Sequence, residues 1–393
     1  MRICLFTPTF LPSIGGQELV VDQLARQYNR LGHDAAVLAQ HAHRWGTGQM
    51  GELPYEVVRF RKPFSQVRGV SVLQRALVKL RRRWPYELIH CHSTYPTGFA
   101  AVGAGARLQI PVVVTPHGGG IAETSRFRDR PEIMSRIRQA LEQADAVTIM
   151  SGYIRERVGI LAPGCAGRMH EISNGVDCAA LATPVERTPE IAARWSAIPN
   201  PYLLFLGRLH RRKGVDVLID AFLHAAARIP DAHLVIAGEG AEMEPLREQA
   251  GRSGSASRIH FVGMVQGADK LWLLQNALGV VLPTRTWEGM PIVVLEAMAC
   301  ARPVIGTDVG GIRDLVVPGQ TGLLVKPQDA TDLAEALVTL ASQGPAWEQM
   351  SRNARAKAAD YDWPVIARRY LSLFAELTGK RNGRQRSKSG GAR

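Results

Sequence analysis

Two carboxylates lie close to a predicted helix start in the second half of the chain. Glu288-Gly289 forms an acidic turn, a short helix opens with Pro291, and Glu296 lies about a turn and a half inside it. Proline is tolerated in the first helical turn, so the N–H groups of Gly289 and Met290 would face outward at the positive helix end, where anions bind. This pattern suits a ligand with an anionic group and hydroxyls, as in a nucleotide sugar. The alternative is a surface turn beside an unrelated glutamate.

A basic loop at residues 207–214 follows the first strand of the second half. Arg208 and Lys213 flank its turn, just before Gly214 opens a helix. Two fixed cations suit a diphosphate leaving group, because they would neutralise the charge that grows as a glycosidic bond breaks. A solvated basic loop is the alternative, and the position at a strand end favours function.

His117 lies at another strand end. It follows the apolar run Val112–Thr115 and precedes three glycines, Gly118 to Gly120. A histidine in such a loop suits hydrogen bonding to a sugar or proton handling. A structural histidine is an equally good interpretation of the local sequence.

Glycines mark the loop after the first strand. Gly15 and Gly16 would let the backbone approach a ligand closely, or they form a plain tight turn. They are not the dinucleotide fingerprint, which needs three glycines. Gly238 and Gly240 begin that fingerprint, but Met243 stands where the third glycine belongs, so a dehydrogenase is only weakly indicated.

Two short motifs could suggest metal binding. In His90-Cys91-His92 the histidines would face one way on a strand and Cys91 the other, so no zinc site is predicted. Asp360 and Asp362 fit the Asp-x-Asp pattern of metal-dependent sugar transferases, but helix capping is the better interpretation at this position. The sequence therefore predicts no metal site.

A basic amphipathic helix is predicted at Leu73–Arg83. Its cations alternate with apolar residues and are Arg75, Lys79, Arg81, Arg82 and Arg83. Such a segment can rest on an anionic membrane surface, or it can be a solvated helix face.

Composition sets the outer limits. A chain of 393 residues implies two or three domains, and 46% apolar with 21% charged residues is typical of a globular protein. The net charge of +13 implies an anionic partner such as a nucleotide, a phospholipid or a nucleic acid. Five irregularly spaced cysteines indicate a reducing compartment. Neither a signal peptide nor a membrane-spanning run is predicted.

Strand-like runs alternate with helical patterns from Arg2 onward, which predicts parallel sheets with helices on both faces. The proline-rich segment Leu181–Pro201 interrupts the alternation and is interpreted as an interdomain linker. We expect domains at 1–190 and 200–363, a final helix at 364–378 that joins the first domain, and a disordered basic tail at 379–393.

Taken together, these motifs resemble the retaining glycosyltransferases of the GT-B fold, family 4 (glycosyl transferases group 1). The resemblance covers nearly the whole chain, and its specificity comes from the order and spacing of motifs that are individually weak. They are Gly15-Gly16, Thr115-Pro116-His117-Gly118, Ser173-Asn174-Gly175-Val176-Asp177, Gly207-Arg208-Leu209 with Lys213-Gly214, Gly238-Glu239-Gly240, Phe261-Val262-Gly263, and Glu288 to Glu296 spaced as E-x7-E.

The resemblance implies an α/β protein with two Rossmann-like, doubly wound parallel-sheet domains facing a central cleft. A UDP- or GDP-sugar donor would bind the C-terminal domain and the acceptor the N-terminal domain. The resemblance implies that Arg208 and Lys213 bind the diphosphate, with help from the backbone of Gly289, Met290, Pro291, Ile292 and Val293. Glu296 would bind the ribose, Glu288 and His117 would contact the donor sugar, and Gly15 and Gly16 would pack beside the diphosphate. His92 and Asn174 would lie on the acceptor side. His117, Glu288, Arg208 and Lys213 are the implied catalytic set.

The resemblance also implies chemistry without a metal and without a cofactor other than the sugar nucleotide. No carboxylate near His117 stands out as a nucleophile, so front-face return is implied, with the leaving phosphate accepting the proton of the acceptor. One departure is Ala301, where the family usually has glycine, because alanine fits a tight helix end only if φ is not strongly positive.

We therefore predict a cytoplasmic, peripheral hexosyltransferase that acts on a growing surface glycan or lipid-linked saccharide. An epimerase or phosphorylase of the same fold is one alternative. A non-catalytic nucleotide-binding or membrane-surface module is another, although the intact set of site residues argues against it. Nucleic acid is not an expected partner, since no aromatic-interleaved basic motif is present.

Overall fold

The computed structural model describes residues 1–13, 15–41, 52–60, 69–252 and 254–390, with only the backbone from 382 onward. The chain forms two compact units. The first contains Met1–Asn174 and Trp363–Arg393, and the second contains Gly175–Asp362.

The first unit is built on a seven-stranded parallel sheet in the order β3-β2-β1-β4-β5-β6-β7. Its strands are β1 (Arg2–Thr7), β2 (Asp34–Gln40), β3 (Glu56–Phe60), β4 (Leu88–Cys91), β5 (Val112–Val114), β6 (Ala146–Ile149) and β7 (Met169–Glu171). Its helices are α1 (Gly16–Arg30), α2 (Val70–Arg83), α3 (Thr97–Leu108), α4 (Pro131–Gln143), α5 (Gly152–Leu161) and the last helix of the chain, Trp363–Gly390.

The second unit has a six-stranded parallel sheet in the order β10-β9-β8-β11-β12-β13. Its strands are β8 (Tyr202–Leu206), β9 (His233–Ala237), β10 (Ile259–Gly263), β11 (Gly279–Leu282), β12 (Val304–Thr307) and β13 (Gly322–Val325). Its helices are α6 (Cys178–Ala182), α7 (Pro189–Trp195), α8 (Val215–Ala225), α9 (Met243–Gly251), α10 (Gly267–Asn276), α11 (Ile292–Ala299), α12 (Ile312–Leu315), α13 (Ala330–Ala341) and α14 (Pro345–Ala358). The final helix, Trp363–Gly390, is α15. The predicted doubly wound parallel sheets are confirmed.

The strands of both sheets form from short apolar runs that are buried in the core. The burial pattern of β11 is continuous, and the strands of the first sheet at β4 and β6 are likewise buried throughout, because helices cover both faces. In the first unit α1 ends at Arg30, and Gly32 supplies the positive φ of 79° that turns the chain into β2.

The boundary between the units lies at Asn174, not at residue 190 as predicted from the prolines. The residues that follow this boundary form hydrogen bonds with the last residues of the second unit. The backbone N–H of Val176 donates to Tyr361 O at 2.8 Å, and that of Cys178 donates to the Asp362 carboxylate at 3.1 Å. Asp362 thus satisfies a free N–H of the first turn of α6, a capping role, although for a helix distant in sequence.

The predicted linker Leu181–Pro201 is packed structure of the second unit. Gln275 of α10 donates to the carbonyls of Leu181 and Thr183, at 2.9 and 2.7 Å, and accepts the N–H of Val185 at 2.9 Å. Trp195 of α7 is buried. These prolines begin and separate short helices instead of marking a loose segment.

The chain from Gly379 onward, predicted to be disordered, continues α15 to Gly390, and residues 391–393 lie outside the described residues. Lysine and arginine are good helix formers, and Lys380 forms an ion pair with Glu376 one turn earlier. In the part of the chain that the structure describes, no helix is both long and apolar enough to cross a membrane.

Candidate active site

The second sheet reverses its strand order at β8. The chain leaves β8 toward β9 on one side and returns to β11 on the other, so the loops after β8 and β11 diverge at the carboxyl edge. Ligands of such sheets bind at this switch point. Lys213 lies in the loop after β8 and Glu288 in the loop after β11. Lys213 Nζ lies 2.6 Å from Glu288 Oε1, which brings together two residues that are far apart in sequence.

The Glu288 carboxylate is nearly buried, with 8% of the residue exposed. Its Oε1 atom also accepts the Thr284 hydroxyl at 3.1 Å and lies 3.9 Å from the Arg212 guanidinium. Arg212 is itself held in place, since it donates to Trp287 O at 2.6 Å and stacks 4.4 Å from the Trp287 ring centroid. Oε2 of Glu288 makes no hydrogen bond to any described residue and remains available as an acceptor.

A glycine turn after β12, formed by Gly310 and Gly311, packs against the backbone of the Glu288 loop. The N–H of Gly311 donates to Glu288 O at 2.9 Å. A Cβ atom on Gly310 would lie 2.5 Å from Glu288 O, and one on Gly311 would lie 2.1 Å from Gly289 O. Side chains at either position would therefore push the loop out of place. Gly310 also has a φ of 50°, which glycine adopts without strain.

Helix α11 begins at Ile292, and Pro291 is its N-cap residue with an extended ψ of 116°. The helix thus starts one residue later than predicted. Ile292 and Val293 form its first turn, whose N–H groups lack partners within the helix. The predicted positive helix end directly after the Glu288-Gly289 turn is present.

Glu296 points from α11 toward α10. Its Oε1 atom lies 2.6 Å from Lys270 Nζ, and both side chains are largely buried, with 14% and 25% exposed. Lys270 was not identified from the sequence. It is a single cation on a helix 26 residues from its partner, and no local pattern connects the two.

Arg208 is exposed and makes no ion pair with any residue in the described ranges. Its loop is nonetheless ordered by the loop after β9. The N–H of Leu209 donates to Glu239 O at 2.8 Å, and a Cβ on Gly240 would lie 2.0 Å from Leu209 O. Gly238 and Gly240 therefore serve close backbone packing, which accounts for a dinucleotide-like fragment without its third glycine.

In the first unit β4 and β5 present histidines on the same side. His92 directly follows β4, and His117 lies beyond β5. His92 Nδ1 lies 3.1 Å from His117 Nε2, and the two rings are stacked with centroids 5.4 Å apart. Burial lowers the pKa of His117 to about 4 and the pKa of His92 well below its usual range, so both rings are neutral at physiological pH.

His90 lies on the same side of β4 as His92, with ring centroids 4.1 Å apart. Its Nε2 atom lies 2.8 Å from the Thr115 hydroxyl, and its ring packs on Tyr370 of α15 at 4.7 Å. Burial lowers its pKa to about 3. Cys91 faces the opposite way and donates to Ser93 O at 3.4 Å, so the predicted alternation of His90-Cys91-His92 is confirmed.

The other predicted positions in the first unit lie at loop or helix starts. Gly15 is the N-cap of α1 with extended backbone (φ −161°), and Gly16 is its exposed first residue. Asn174 is buried, with 6% exposed, and is the last residue before the second unit. Among the described residues no cluster of three or more potential metal ligands occurs.

Helix α2 differs from the predicted membrane helix in one respect. Its apolar side is packed inside the unit, with Leu73, Leu77 and Leu80 buried, so it cannot enter a membrane. Arg75 and Lys79 are exposed on the other side. Only charge could attract this helix to an anionic surface.

Comparisons with known proteins show which family the chain resembles. Residues 14–180 match the family Glycosyltransferase Family 4, and residues 200–343 match the family Glycosyl transferases group 1. A phosphatidyl-myo-inositol mannosyltransferase of Mycobacterium tuberculosis is 28% identical over 394 residues, which cover 96% of this chain and 98% of that protein. A glycogen synthase of the same species is 29% identical over 311 residues, covering 77% and 72%.

Solved structures share the fold. Sucrose-phosphate synthase of Thermosynechococcus elongatus superimposes with a TM-score of 0.77 at 25% identity, covering 96% of this chain and 99% of that one. Anabaena HepE, solved with UDP, superimposes with a TM-score of 0.80 at 22% identity, covering 96% and 100%. The chain therefore belongs to the glycosyltransferases, with a family 4 domain followed by a group 1 domain, and has their GT-B fold.

Proposed function

We propose that the protein is a retaining glycosyltransferase that moves a hexose from a nucleoside diphosphate sugar to a hydroxyl of a glycan or lipid-linked acceptor. The observation that carries this proposal is the Lys213–Glu288 pair at the switch point of the second sheet. The pair fixes a cation beside a carboxylate, and one oxygen of that carboxylate remains free to accept a hydrogen bond.

In this proposal Lys213 binds the diphosphate. Its ammonium group has three N–H donors, and the 2.6 Å contact with Glu288 uses one of them. The others can bind phosphate oxygens, with exposed Arg208 as the second cation. Positive charge held at this position stabilises the diphosphate as the glycosidic bond breaks. Gly289, Met290 and the first turn of α11 assist through the positive end of that helix.

Glu288 and Glu296 bind hydroxyl groups of the donor in this proposal. Each has Oε1 fixed by a lysine at 2.6 Å, which leaves Oε2 to accept from a sugar hydroxyl and from the ribose, respectively. Lys270 orients Glu296 and so belongs to the donor-binding set. The solved structures of HepE with UDP and with UDP-glucose support a nucleotide sugar as the donor class.

The first unit binds the acceptor in this proposal, with His92 and Asn174 on the acceptor side, while His117 contacts the donor sugar and Gly15-Gly16 lie beside the diphosphate. We also propose front-face return, in which the acceptor oxygen bonds to the anomeric carbon as the bond to the phosphate oxygen breaks. The proton of the acceptor hydroxyl then passes to the leaving phosphate. Neither a metal nor a further cofactor takes part in this scheme.

A donor screen tests the proposal. Binding and hydrolysis of UDP-, GDP- and ADP-sugars are measured in EDTA for the wild type, Lys213→Ala and Glu296→Ala. Loss of a charge-assisted hydrogen bond costs about 1.5–3 kcal/mol, so one donor should bind saturably and weaken about 10- to 100-fold in both variants. Failure of every donor to bind would overturn the proposal.

A matched control is available on the same unit. Arg228 and Glu335 form an exposed ion pair beyond the carboxyl end of α8, at the opposite edge of the sheet from the switch point. Arg228→Ala should bind the donor as the wild type does. Stereochemistry follows from ¹H NMR of the product: an inverted anomeric centre would contradict retention, and conversion of the donor without an acceptor would indicate an epimerase.

We further propose that the protein works at the cytoplasmic face of a membrane and meets anionic lipid through Arg75 and Lys79 of α2. Each exposed cation near an anionic surface contributes about 1 kcal/mol. Arg75→Gln/Lys79→Gln should weaken co-sedimentation with vesicles of phosphatidylglycerol. Equal binding by the double variant would contradict this contact.

A further inference from the structure

His92 has one nitrogen paired and one nitrogen without a partner. The residue is fully buried, and its Nδ1 atom lies 3.1 Å from His117 Nε2. Its Nε2 atom is buried and has no hydrogen-bond partner among the described residues. The backbone N–H of His92 donates to Phe6 O at 2.9 Å, which extends the ladder between β4 and β1 and fixes the backbone that carries the ring.

Two neutral arrangements satisfy the contact between the rings. If His117 donates from Nε2, then His92 accepts at Nδ1 and carries its own proton on Nε2, where a buried N–H would have no acceptor. If His92 donates from Nδ1, its Nε2 is a bare lone pair and no N–H is orphaned. Orphaned buried N–H groups are rarer in proteins than unpaired acceptors, so the second arrangement is favoured.

We infer that His92 is a positioning residue that donates its Nδ1–H to His117 Nε2 and thereby holds the proton of His117 on Nδ1. The partner of one ring nitrogen decides which nitrogen carries the proton. His117 is partly exposed, and its Nδ1 makes no hydrogen bond to the described residues. His117 therefore presents an N–H donor to an oxygen of its ligand, and it does not present a basic nitrogen.

This inference rests on the proposed function for the identity of the ligand, which is a sugar hydroxyl oxygen acting as an acceptor. It assigns His117 to binding and orientation and not to proton abstraction. The tautomer is a property of the free protein, so it can be measured even if no donor or acceptor has been found.

The first experiment is ¹⁵N NMR of the full chain labelled at histidine, with the His117 signals identified by their loss in His117→Gln. We expect a protonated Nδ1 and an unprotonated Nε2 for His117. The reverse assignment would overturn the inference, whatever reaction the protein catalyses. If the wild type shows the expected tautomer but no transferase activity, that result would count against the proposed function alone.

Two substitutions at His92 extend the test. His92→Asn keeps an N–H donor near the position of Nδ1, whereas His92→Leu removes it. Partners that orient metal-binding histidines contribute about 10- to 100-fold, and we expect the same scale here, so kcat should fall by about that factor in His92→Leu and stay within about threefold in His92→Asn. Nucleotide affinity, which depends on the second unit, should be unchanged in both.

The equally buried His90 provides the control. It lies on the same strand but bonds Thr115 and not His117. His90→Leu should leave the His117 tautomer unchanged, whereas His92→Leu should shift protonation toward Nε2. An unchanged tautomer in folded His92→Leu would overturn the positioning role.

Discussion

The glycine turn behind the Glu288 loop allows a sharp test of how the site is built. Gly310 and Gly319 both have positive φ, 50° and 72°, but they differ in their surroundings. A Cβ on Gly310 would meet Glu288 O at 2.5 Å and Glu288 N at 2.6 Å, whereas a Cβ on Gly319 would meet nothing within 4 Å. Gly319→Ala therefore introduces backbone strain alone, whereas Gly310→Ala introduces the same strain and also displaces the Glu288 loop.

The expected magnitudes follow from these distances. Left-handed backbone costs alanine about 1–2 kcal/mol, so both variants should lose that much stability, about 2–8 °C in Tm for a unit of this size. In Gly310→Ala the Glu288 backbone must also move by about 0.9 Å to reach ordinary van der Waals contact. A displacement of about 1 Å at a catalytic group costs about 100-fold in rate, or about 2.7 kcal/mol.

The assay compares donor affinity, kcat/KM and thermal unfolding for the wild type and both variants. Gly319→Ala should retain kcat/KM within about threefold, and Gly310→Ala should lose about 100-fold at a similar Tm. If the two variants keep the same kcat/KM, the turn does not position Glu288 and the argument is refuted. If Gly310→Ala does not fold, the displacement is measured in Gly311→Ala, whose Cβ would meet Gly289 O at 2.1 Å.

Three further predictions concern stability and binding. Ala301→Gly should raise the free energy of unfolding by about 1 kcal/mol, seen as a Tm about 2–4 °C higher, because Ala301 has a φ of 56°. The free energy of unfolding should fall as pH drops below 6.5, by about 1.4 kcal/mol per pH unit for each neutral histidine, since the unfolded chain binds protons that buried His90, with a pKa of about 3, and His92 do not. Lys270→Met should weaken donor binding about 3- to 10-fold, measured by calorimetry, because Glu296 loses the partner that orients it.

Control variants distinguish these effects from a nonspecific loss of stability or donor affinity. Ala299→Gly, inside the same helix, should lower Tm, so an equal rise in both glycine variants would contradict the reasoning for Ala301. Urea titrations from pH 7.5 to 5 should show a smaller slope in His90→Gln, and a flat profile for the wild type would contradict burial of neutral rings. Arg228→Met should bind the donor normally, and a loss equal to that of Lys270→Met would indicate a nonspecific charge effect.

The sequence predicted the alternating fold well, because buried parallel strands read as short apolar runs that stand out between helical patterns. It also indicated Glu288 and Glu296 as candidate site residues, since both lie within one short segment. β13 was not predicted: Gly322–Val325 is short, follows a Pro-Gly turn and has two half-buried residues.

Other features depend on contacts between distant residues. Lys213 meets Glu288 across 75 positions, and nothing local in either segment indicates the 2.6 Å contact. Ala301 shows the same limit. The condition that alanine fits there only without a strongly positive φ does not hold, since Ala301 has a φ of 56°. The N–H of Arg302 donates to Ala297 O at 2.8 Å and that of Ala301 to Met298 O at 2.9 Å, so a Schellman turn holds the strained residue in place.

The hydrogen bonds that join the two ends of residues 175–362 bear on how the protein is made. That unit is an insertion within the first unit, and Val176 and Cys178 at its start bond Tyr361 and Asp362 at its end. During synthesis from the N-terminus it can close on itself while the first unit still lacks α15, and with it the Tyr370 ring that packs on His90. A nascent chain arrested before residue 363 would contain the complete second unit and a first unit that lacks α15. Residues 175–362 are accordingly the fragment that should fold when expressed alone.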